Sequence, residues 1–111
     1  MNLNISEQQN LVVIAIREDR LDAHNANDLK AELLALFEQG KKTILIDLQE
    51  VKFIDSSGLG ALVSGFKNAI TNQGSLKLAS LQPQVKSMFE LTRLHRVFDI
   101  YATPADVPGQ T

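Results

Sequence analysis

The chain has 111 residues, a formal net charge of −2, and 44% apolar and 22% charged residues, a composition that suits one globular domain with a single core. It contains no cysteine, so disulfides, thiolate metal sites and thiol catalysis are excluded. Lysine and arginine are scattered, whereas a nucleic-acid-binding protein normally shows a basic stripe. Because no secretory signal or membrane-spanning run is visible, we expect a cytoplasmic protein that does not enter a membrane.

The first half of the chain predicts three strands and a helix. A short edge strand is expected at residues 3–5, and Leu11–Ile16 is a nearly continuous apolar run, typical of a strand buried on both faces. Charged residues break this run at 17–20. A helix that Asn25 can cap follows, with apolar residues at helical spacing at Ala26, Leu29, Leu33, Leu36 and Phe37 and a stop at Gly40. Residues 43–48 form the next buried strand.

The second half predicts two more helices and two more strands. A helix opens at residues 55–58, and its apolar side is expected to carry Leu59, Leu62, Val63, Phe66, Ala69 and Ile70. Gly74 ends it, and the alternating Ser75–Ala79 indicates a strand nearer an edge. Pro83 suits the first turn of a further helix that contains Val85, Met88, Phe89 and Leu94. Residues 97–101 form a last short strand. Residues 103–106 resemble a helix start, beyond which Pro108 and Gly109 allow about one turn.

Strands that alternate with helices predict an α/β fold. We expect a mostly parallel sheet of four to five strands with three to four helices and right-handed crossovers. In such a sheet, functional sites gather where strands end and loops enter helices. The loops at residues 22–25 and 55–58 both end such connections, so we expect them to lie side by side.

The most informative stretch is residues 53–62, in which an aspartate precedes two serines and two glycines at a helix start. Free backbone N–H groups and the positive end of the helix dipole tolerate anions there. Ser56 or Ser57 can therefore be a helix cap, a nucleophile or a phosphorylation site. Gly58 and Gly60 each weaken a helix by about 1 kcal/mol relative to alanine, so either internal packing or partner docking requires an uncrowded surface at this point.

A serine hydrolase is disfavoured by the local pattern. The nucleophile elbow of α/β-hydrolases requires glycine two residues before and two residues after the serine, and neither Ser56 nor Ser57 has both. A base would have to come from His24 or His95, which are expected to be a solvated loop residue and a satisfied polar residue. Neither histidine has a second ligand at metal-site spacing.

Nucleotide binding is also disfavoured. The segment from Ser57 to Gly60 lacks the lysine of a P-loop, and Val63 occupies the place of the third glycine in a dinucleotide-binding fingerprint. A lone Gly-x-Gly is a weak signal, so we expect the chain to hold no cofactor of its own.

Taken together, Leu21-Asp22, the strand at residues 44–48 and the segment 53–60 resemble the anti-sigma factor antagonists, which are stand-alone STAS domains. The resemblance covers about residues 5–101 and implies a single STAS domain over 1–111, with a core at 3–101 and a short tail at 102–111. In that family the serine directly after the motif aspartate is phosphorylated by a partner kinase, which implies phosphorylation of Ser56. It also implies a partner-binding surface made of Asp22, Asp55, Ser56, Ser57, Gly58, Leu59 and Gly60.

The mechanism that the resemblance implies is partner switching by a protein that is not an enzyme. The unmodified protein binds an anti-sigma factor, itself a serine kinase of the histidine-kinase-like ATPase fold, and the sigma factor is released. The kinase uses its own ATP and magnesium to phosphorylate Ser56, and a PP2C-type phosphatase restores the unmodified form. Alternatives are a structural STAS subunit in an ABC lipid-transport complex or stress-sensing scaffold, or a switch acting on another output.

One position departs from the family pattern. The family usually has glycine in a turn two residues before the Leu-Asp pair, and this chain has Asp19 there. Because aspartate adopts the left-handed turn conformation more readily than most residues, we expect Asp19 to preserve that turn.

Overall fold

The computed structural model describes residues 1–108. Its strands and helices follow one another along the chain as β1 (Leu3–Gln8), β2 (Leu11–Ile16), β3 (Arg20–Leu21), α1 (Ala26–Glu38), β4 (Thr43–Asp47), β5 (Phe53–Ile54), α2 (Ser56–Thr71), β6 (Ser75–Ala79), α3 (Pro83–Leu91) and β7 (Asp99–Tyr101). Two short 3-10 turns, Leu94–Arg96 and Pro104–Asp106, flank β7.

Five strands form the main sheet in the order β1-β2-β4-β6-β7. A tight turn in which Gln9 has a φ of 53° joins β1 to β2, so these two strands are antiparallel, whereas the helical crossovers make the other neighbours parallel. The predicted α/β fold with a mostly parallel sheet is thus confirmed. Ser75–Ala79 is one strand in from the edge, as its alternating pattern indicates.

The sheet buries apolar residues on both of its faces. The helix-covered face includes Ile14, Ile46 and Leu78, all with no exposed surface. On the opposite face Leu45 is also fully buried, in a smaller cluster to which Val107 contributes from beyond the last 3-10 turn. The run Leu11–Ile16 is therefore buried on both sides, as its sequence predicts.

Several predicted details are wrong. Ile70 is 60% exposed because it lies at the margin of the apolar stripe, in the last turn of α2. Leu94 is not part of α3, since the helix ends at Leu91 and Arg93 takes a positive φ of 62°. The N–H groups of residues 97 and 98 both donate to the Leu94 carbonyl, so the last strand is shorter than predicted.

The C-terminal segment forms the single short turn that its sequence predicts, at Pro104–Asp106. Gly109, with the rest of the predicted tail, lies outside the described residues. Within the described range, none of the helices has both the length and the apolar character needed to span a bilayer.

Candidate functional site

Two very short strands bring the candidate loops together. β3 and β5 pair in parallel, with Leu21 opposite Ile54, and the Asp55 N–H donates to the Leu21 carbonyl at 3.3 Å. The chain leaves β3 into residues 22–25 and leaves β5 into residues 55–58, in the same direction. The predicted side-by-side placement of these loops is confirmed.

Asp55, and not a serine, caps α2. Its backbone is extended (φ −112°, ψ −173°), and its Oδ1 accepts the Gly58 N–H at 3.0 Å. The interpretation of Ser56 or Ser57 as the cap is therefore wrong, because the aspartate supplies the capping acceptor. Both serines are exposed, and neither hydroxyl has a hydrogen-bond partner within residues 1–108. The first turn of α2 thus presents two unengaged hydroxyls.

Neither imidazole is placed to activate these serines. The Nδ1 of His24 lies 3.5 Å from Asp22 Oδ1, and its side chain is 95% exposed. The Nδ1 of His95 lies 3.3 Å from the Phe89 carbonyl, on α3. A nucleophile needs a base within hydrogen-bond reach, and the described part of the chain provides no such pair. It also contains no group of three acidic or histidine side chains placed to hold a metal ion.

The glycines of the motif have different roles. Gly58 is buried, and a Cβ there would collide with the Leu21 carbonyl oxygen and lie 2.8 Å from Ile54 Cγ1. Gly60 is exposed, and a Cβ there would meet nothing within 4 Å. The spacing left packing and docking as alternatives, and the structure assigns packing to Gly58 and an open surface to Gly60.

The loop before α1 is built by its own polar side chains. Asp22 Oδ1 accepts the His24 N–H at 3.0 Å, and Asn25 Oδ1 accepts the Asp22 N–H at 2.9 Å. Asn25 stands at the N-cap position of α1, but its side chain makes no capping bond, so the predicted side-chain cap is wrong. The Asp22 side chain is only 16% exposed, so its main role is to stabilise this turn.

Asp19 does not adopt the left-handed conformation that its place in the family pattern predicts. The non-glycine residues with positive φ in the described chain are Gln9, Gln73, Ser80 and Arg93. Instead, the Asp19 carbonyl accepts the N–H groups of Lys52 and Phe53 at 2.7 and 3.2 Å. Its main chain therefore anchors β5 without a special conformation.

A shallow groove of about 440 Å³ runs beside the serines, between the first turns of α1 and α2, and is lined by Ala23, Ala26, Asn27, Lys30, Ser57, Gly60 and Ala61. The sequence reasoning missed Asn27 and Lys30. No local motif marks these two residues, because only the packing of α1 beside α2 brings them to this groove. The Lys30 side chain has no ion-pair partner within residues 1–108, which leaves one positive charge in the groove.

Of the seven predicted surface residues, the structure exposes only some. Ser56, Ser57 and Gly60 are exposed, Asp22 and Asp55 are half-buried, and Gly58 and Leu59 are buried. A docked protein would meet the exposed and half-buried residues. Gly58 and Leu59 lie beneath them and hold α2 against the strands.

Residues 2–107 match the family model described as the STAS domain. The chain belongs to the STAS domain family, as its Asp-Ser-Ser-Gly segment predicts. It is 36% identical over 103 residues to the anti-sigma-B factor antagonist of Bacillus subtilis, which covers 92% of this chain and 94% of that protein.

Two solved structures are similar in fold. An anti-sigma-factor antagonist (STAS) domain protein from Planctomyces limnophilus superimposes with a TM-score of 0.83 at 27% identity, covering 94% of this chain and 92% of that one. The Bacillus cell fate determinant SpoIIAA in the phosphorylated form gives a TM-score of 0.74, with 95% of each chain covered. At 22% identity, the latter similarity concerns the fold alone.

Proposed function

We propose that this protein is an anti-sigma factor antagonist that works as a phosphorylatable partner switch and not as an enzyme. In its unmodified form it binds an anti-sigma factor that is also a serine kinase, of the histidine-kinase-like ATPase fold, and a sigma factor is released. Phosphorylation of Ser56 ends this binding, and a PP2C-type phosphatase reverses it. The exposed, unengaged Ser56 hydroxyl at the start of α2 carries the proposal.

The full-length similarity to a relative named anti-sigma-B factor antagonist supports this role. ATP and magnesium belong to the partner kinase, so the chain itself needs no cofactor. Because the switch controls transcription through cytoplasmic partners, the proposal places it in the cytoplasm.

The chemistry of the site explains how a single phosphate can switch binding. Phosphorylation adds about −1.5 to −2 charge at neutral pH. In the free protein that charge sits in the first turn of α2, where the helix dipole favours it, so the fold need not change. In a complex the same charge would be enclosed between two proteins, beside the half-buried carboxylate of the neighbouring Asp55. The switch is therefore local and electrostatic.

The docking surface in this proposal consists of the exposed Ser56, Ser57 and Gly60 with Asp22 and Asp55 at its margin. Gly60 leaves open space in which a partner's main chain can approach α2 closely. Gly58 and Leu59 contribute by holding this turn in place from below.

The phosphorylation site can be tested by mass spectrometry. After incubation with the partner kinase, ATP and magnesium, we expect one phosphate on Ser56 in the wild type and in Ser57→Ala, and none in Ser56→Ala. The two serines are both exposed and adjacent, so Ser57→Ala is a closely matched control. Phosphate on Ser57 alone would overturn the assignment.

A further inference from the structure

A cavity of about 550 Å³ lies between α3 and β7, away from the serines. It opens near the carboxyl ends of β6 and β7, where open parallel sheets commonly bind ligands. Slightly more than half of its wall is apolar, and the apolar lining residues include Leu81, Phe89, Ile100 and Tyr101. The volume falls within the range of about 300–1,000 Å³ that small-molecule sites occupy. The cavity therefore has the size and lining of a ligand site.

Three polar side chains also line the cavity: Lys86, Glu90 and His95. Lys86 and Glu90 are four residues apart on α3, so they lie on the same side of the helix. Yet they form no ion pair with each other, and neither side chain has another partner within residues 1–108. One positive and one negative group are thus available side by side at the edge of this cavity.

His95 adds a third polar group. Its Nδ1 contacts the Phe89 carbonyl at 3.3 Å, and because a carbonyl only accepts, Nδ1 carries the hydrogen in this contact. In the tautomer that has this hydrogen on Nδ1, the other ring nitrogen, Nε2, is an acceptor. The nearby Asp99 is already engaged, since Lys77 Nζ lies 3.0 Å from its Oδ2. Burial on its own lowers the pKa of Lys77, but the hydrogen bond and charge attraction of Asp99, together with those of Tyr101, outweigh it, and the pKa is raised.

We propose that this cavity binds a small zwitterion with an apolar side chain, such as a hydrophobic amino acid. Lys86 binds the carboxylate, Glu90 and His95 Nε2 accept from the ammonium group, and the side chain packs against Leu81 and Ile100. A simple carboxylate would leave Glu90 facing another anion, and a simple amine would leave Lys86 without a partner. The site does not depend on the proposed phosphorylation of Ser56.

Titration of the full chain with L-leucine, followed by ¹H–¹⁵N NMR and calorimetry, tests this site. We expect saturable shifts at α3 and β7, and at least about tenfold weaker binding of 4-methylpentanoate and of 3-methylbutylamine, each of which lacks one charge. Lys86→Met should weaken leucine binding by a similar factor, while Lys67→Met, at an exposed lysine of α2, should not. The proposal is overturned if leucine gives no saturable shift at millimolar concentration, or if either analogue binds as tightly.

A separate hydrogen bond concerns the segment that leads into Ser56. The N–H groups of Phe53, in β5, and of Asp55, directly after it, point toward the β3 segment, so the Ile54 N–H points the other way. It donates to the Oε1 of Gln84, in the first turn of α3, at 3.1 Å. The Gln84 side chain thus supplies the acceptor that a neighbouring strand would otherwise provide. The bond holds the main chain at Ile54, two residues before Ser56.

We infer that Gln84 is a positioning residue for the phosphoacceptor loop; this inference builds on the proposed function. Gln84→Met keeps the length of the side chain but removes the strong acceptor, whereas Gln84→Glu retains it. Without the acceptor, the loop is held less firmly for attack by the Ser56 hydroxyl. Since small misplacements of reacting groups lower rates strongly, we expect kcat for phosphorylation to fall about tenfold in Gln84→Met while KM stays nearly constant.

Hydrogen exchange of the Ile54 amide gives a second readout that needs no kinase. We expect exchange at least about tenfold faster in Gln84→Met, near wild-type behaviour in Gln84→Glu, and no change in Gln82→Met. Gln82 is a matched control because its Nε2 donates to the Gln49 carbonyl at 2.6 Å, in a different loop. Unchanged Ile54 exchange in Gln84→Met overturns the inference. If the kinase does not phosphorylate the wild type, the proposed function is overturned instead. The hydrogen-exchange rate of the Ile54 amide then still tests whether Gln84 anchors the loop.

Discussion

Ser56→Ala is expected to bind the partner kinase like the unmodified wild type and to remain bound when ATP is added. Its methyl group leaves the exposed surface nearly unchanged but provides no hydroxyl for phosphate. The phosphorylated wild type is expected to bind at least about 100-fold more weakly, because like charges facing each other at an interface cost several kcal/mol, and each 1.4 kcal/mol is tenfold in Kd. Titration calorimetry with and without ATP measures both values.

Ser56→Asp places a single carboxylate at the same position, so we expect an intermediate loss of about tenfold, since it carries less charge than phosphate. Ser87→Asp is the matched control, because Ser87 is also an exposed serine but lies on α3. It should bind the kinase like the wild type. Equal capture of the same kinase by wild type, Ser56→Ala and Ser56→Asp would remove the switch.

Gly58→Ala is expected to lower the free energy of unfolding by about 2 kcal/mol, with a fall in Tm of roughly 10 °C. The new methyl group would collide with the Leu21 carbonyl oxygen and lie 2.8 Å from Ile54 Cγ1. Main chain cannot rotate away as a side chain can, so α2 must shift from β3. The gain of about 1 kcal/mol from replacing a helical glycine offsets only part of this. Thermal and denaturant unfolding followed by circular dichroism measure the change.

Gly60→Ala is the control for the same substitution two residues later. A Cβ at Gly60 meets nothing within 4 Å, so only the helix-propensity gain remains, and stability should rise by up to about 1 kcal/mol. If Gly58→Ala unfolds at the same temperature as Gly60→Ala, the close approach of α2 to β3 is contradicted.

The longer elements could be predicted because their pattern repeats over several turns or residues. The apolar spacing from Ala26 to Phe37 is compatible only with a helix, and the continuous run at Leu11–Ile16 favours a buried strand. Both elements are confirmed. The adjacency of the two loops also followed, because parallel strands deliver their loops to one edge of a sheet.

The local errors arise where sequence leaves physically equivalent choices. Asp55, Ser56 and Ser57 are all good capping residues. Which of them caps the helix depends on which one stands directly before the first residue with helical backbone angles. Asn25 illustrates the same problem, since its side chain bonds more favourably within its own turn, donating to the Arg20 carbonyl at 2.8 Å. Arg20–Leu21 is too short to show a strand period at all.

Contacts between distant segments were beyond prediction for a different reason. Lys30 lines the groove beside Ser57, and Gln84 bonds to a residue 30 positions earlier. Neither residue stands in a local motif, and only the tertiary packing of α1 and α3 brings them to the loop. The loops that form the site were therefore predictable from the sequence, whereas the residues that α1 and α3 contribute from a distance were not.

Ser56 stands on a turn that is fixed from three directions. Asp55 caps α2 through the Gly58 N–H, the Leu21 carbonyl of β3 accepts the Asp55 N–H, and Gln84 of α3 accepts the Ile54 N–H. A partner that docks here meets a preorganised surface, and association loses little conformational entropy on this side of the interface. We therefore expect this protein to bind as a nearly rigid body, and any flexible segment that becomes ordered in the complex to belong to the partner.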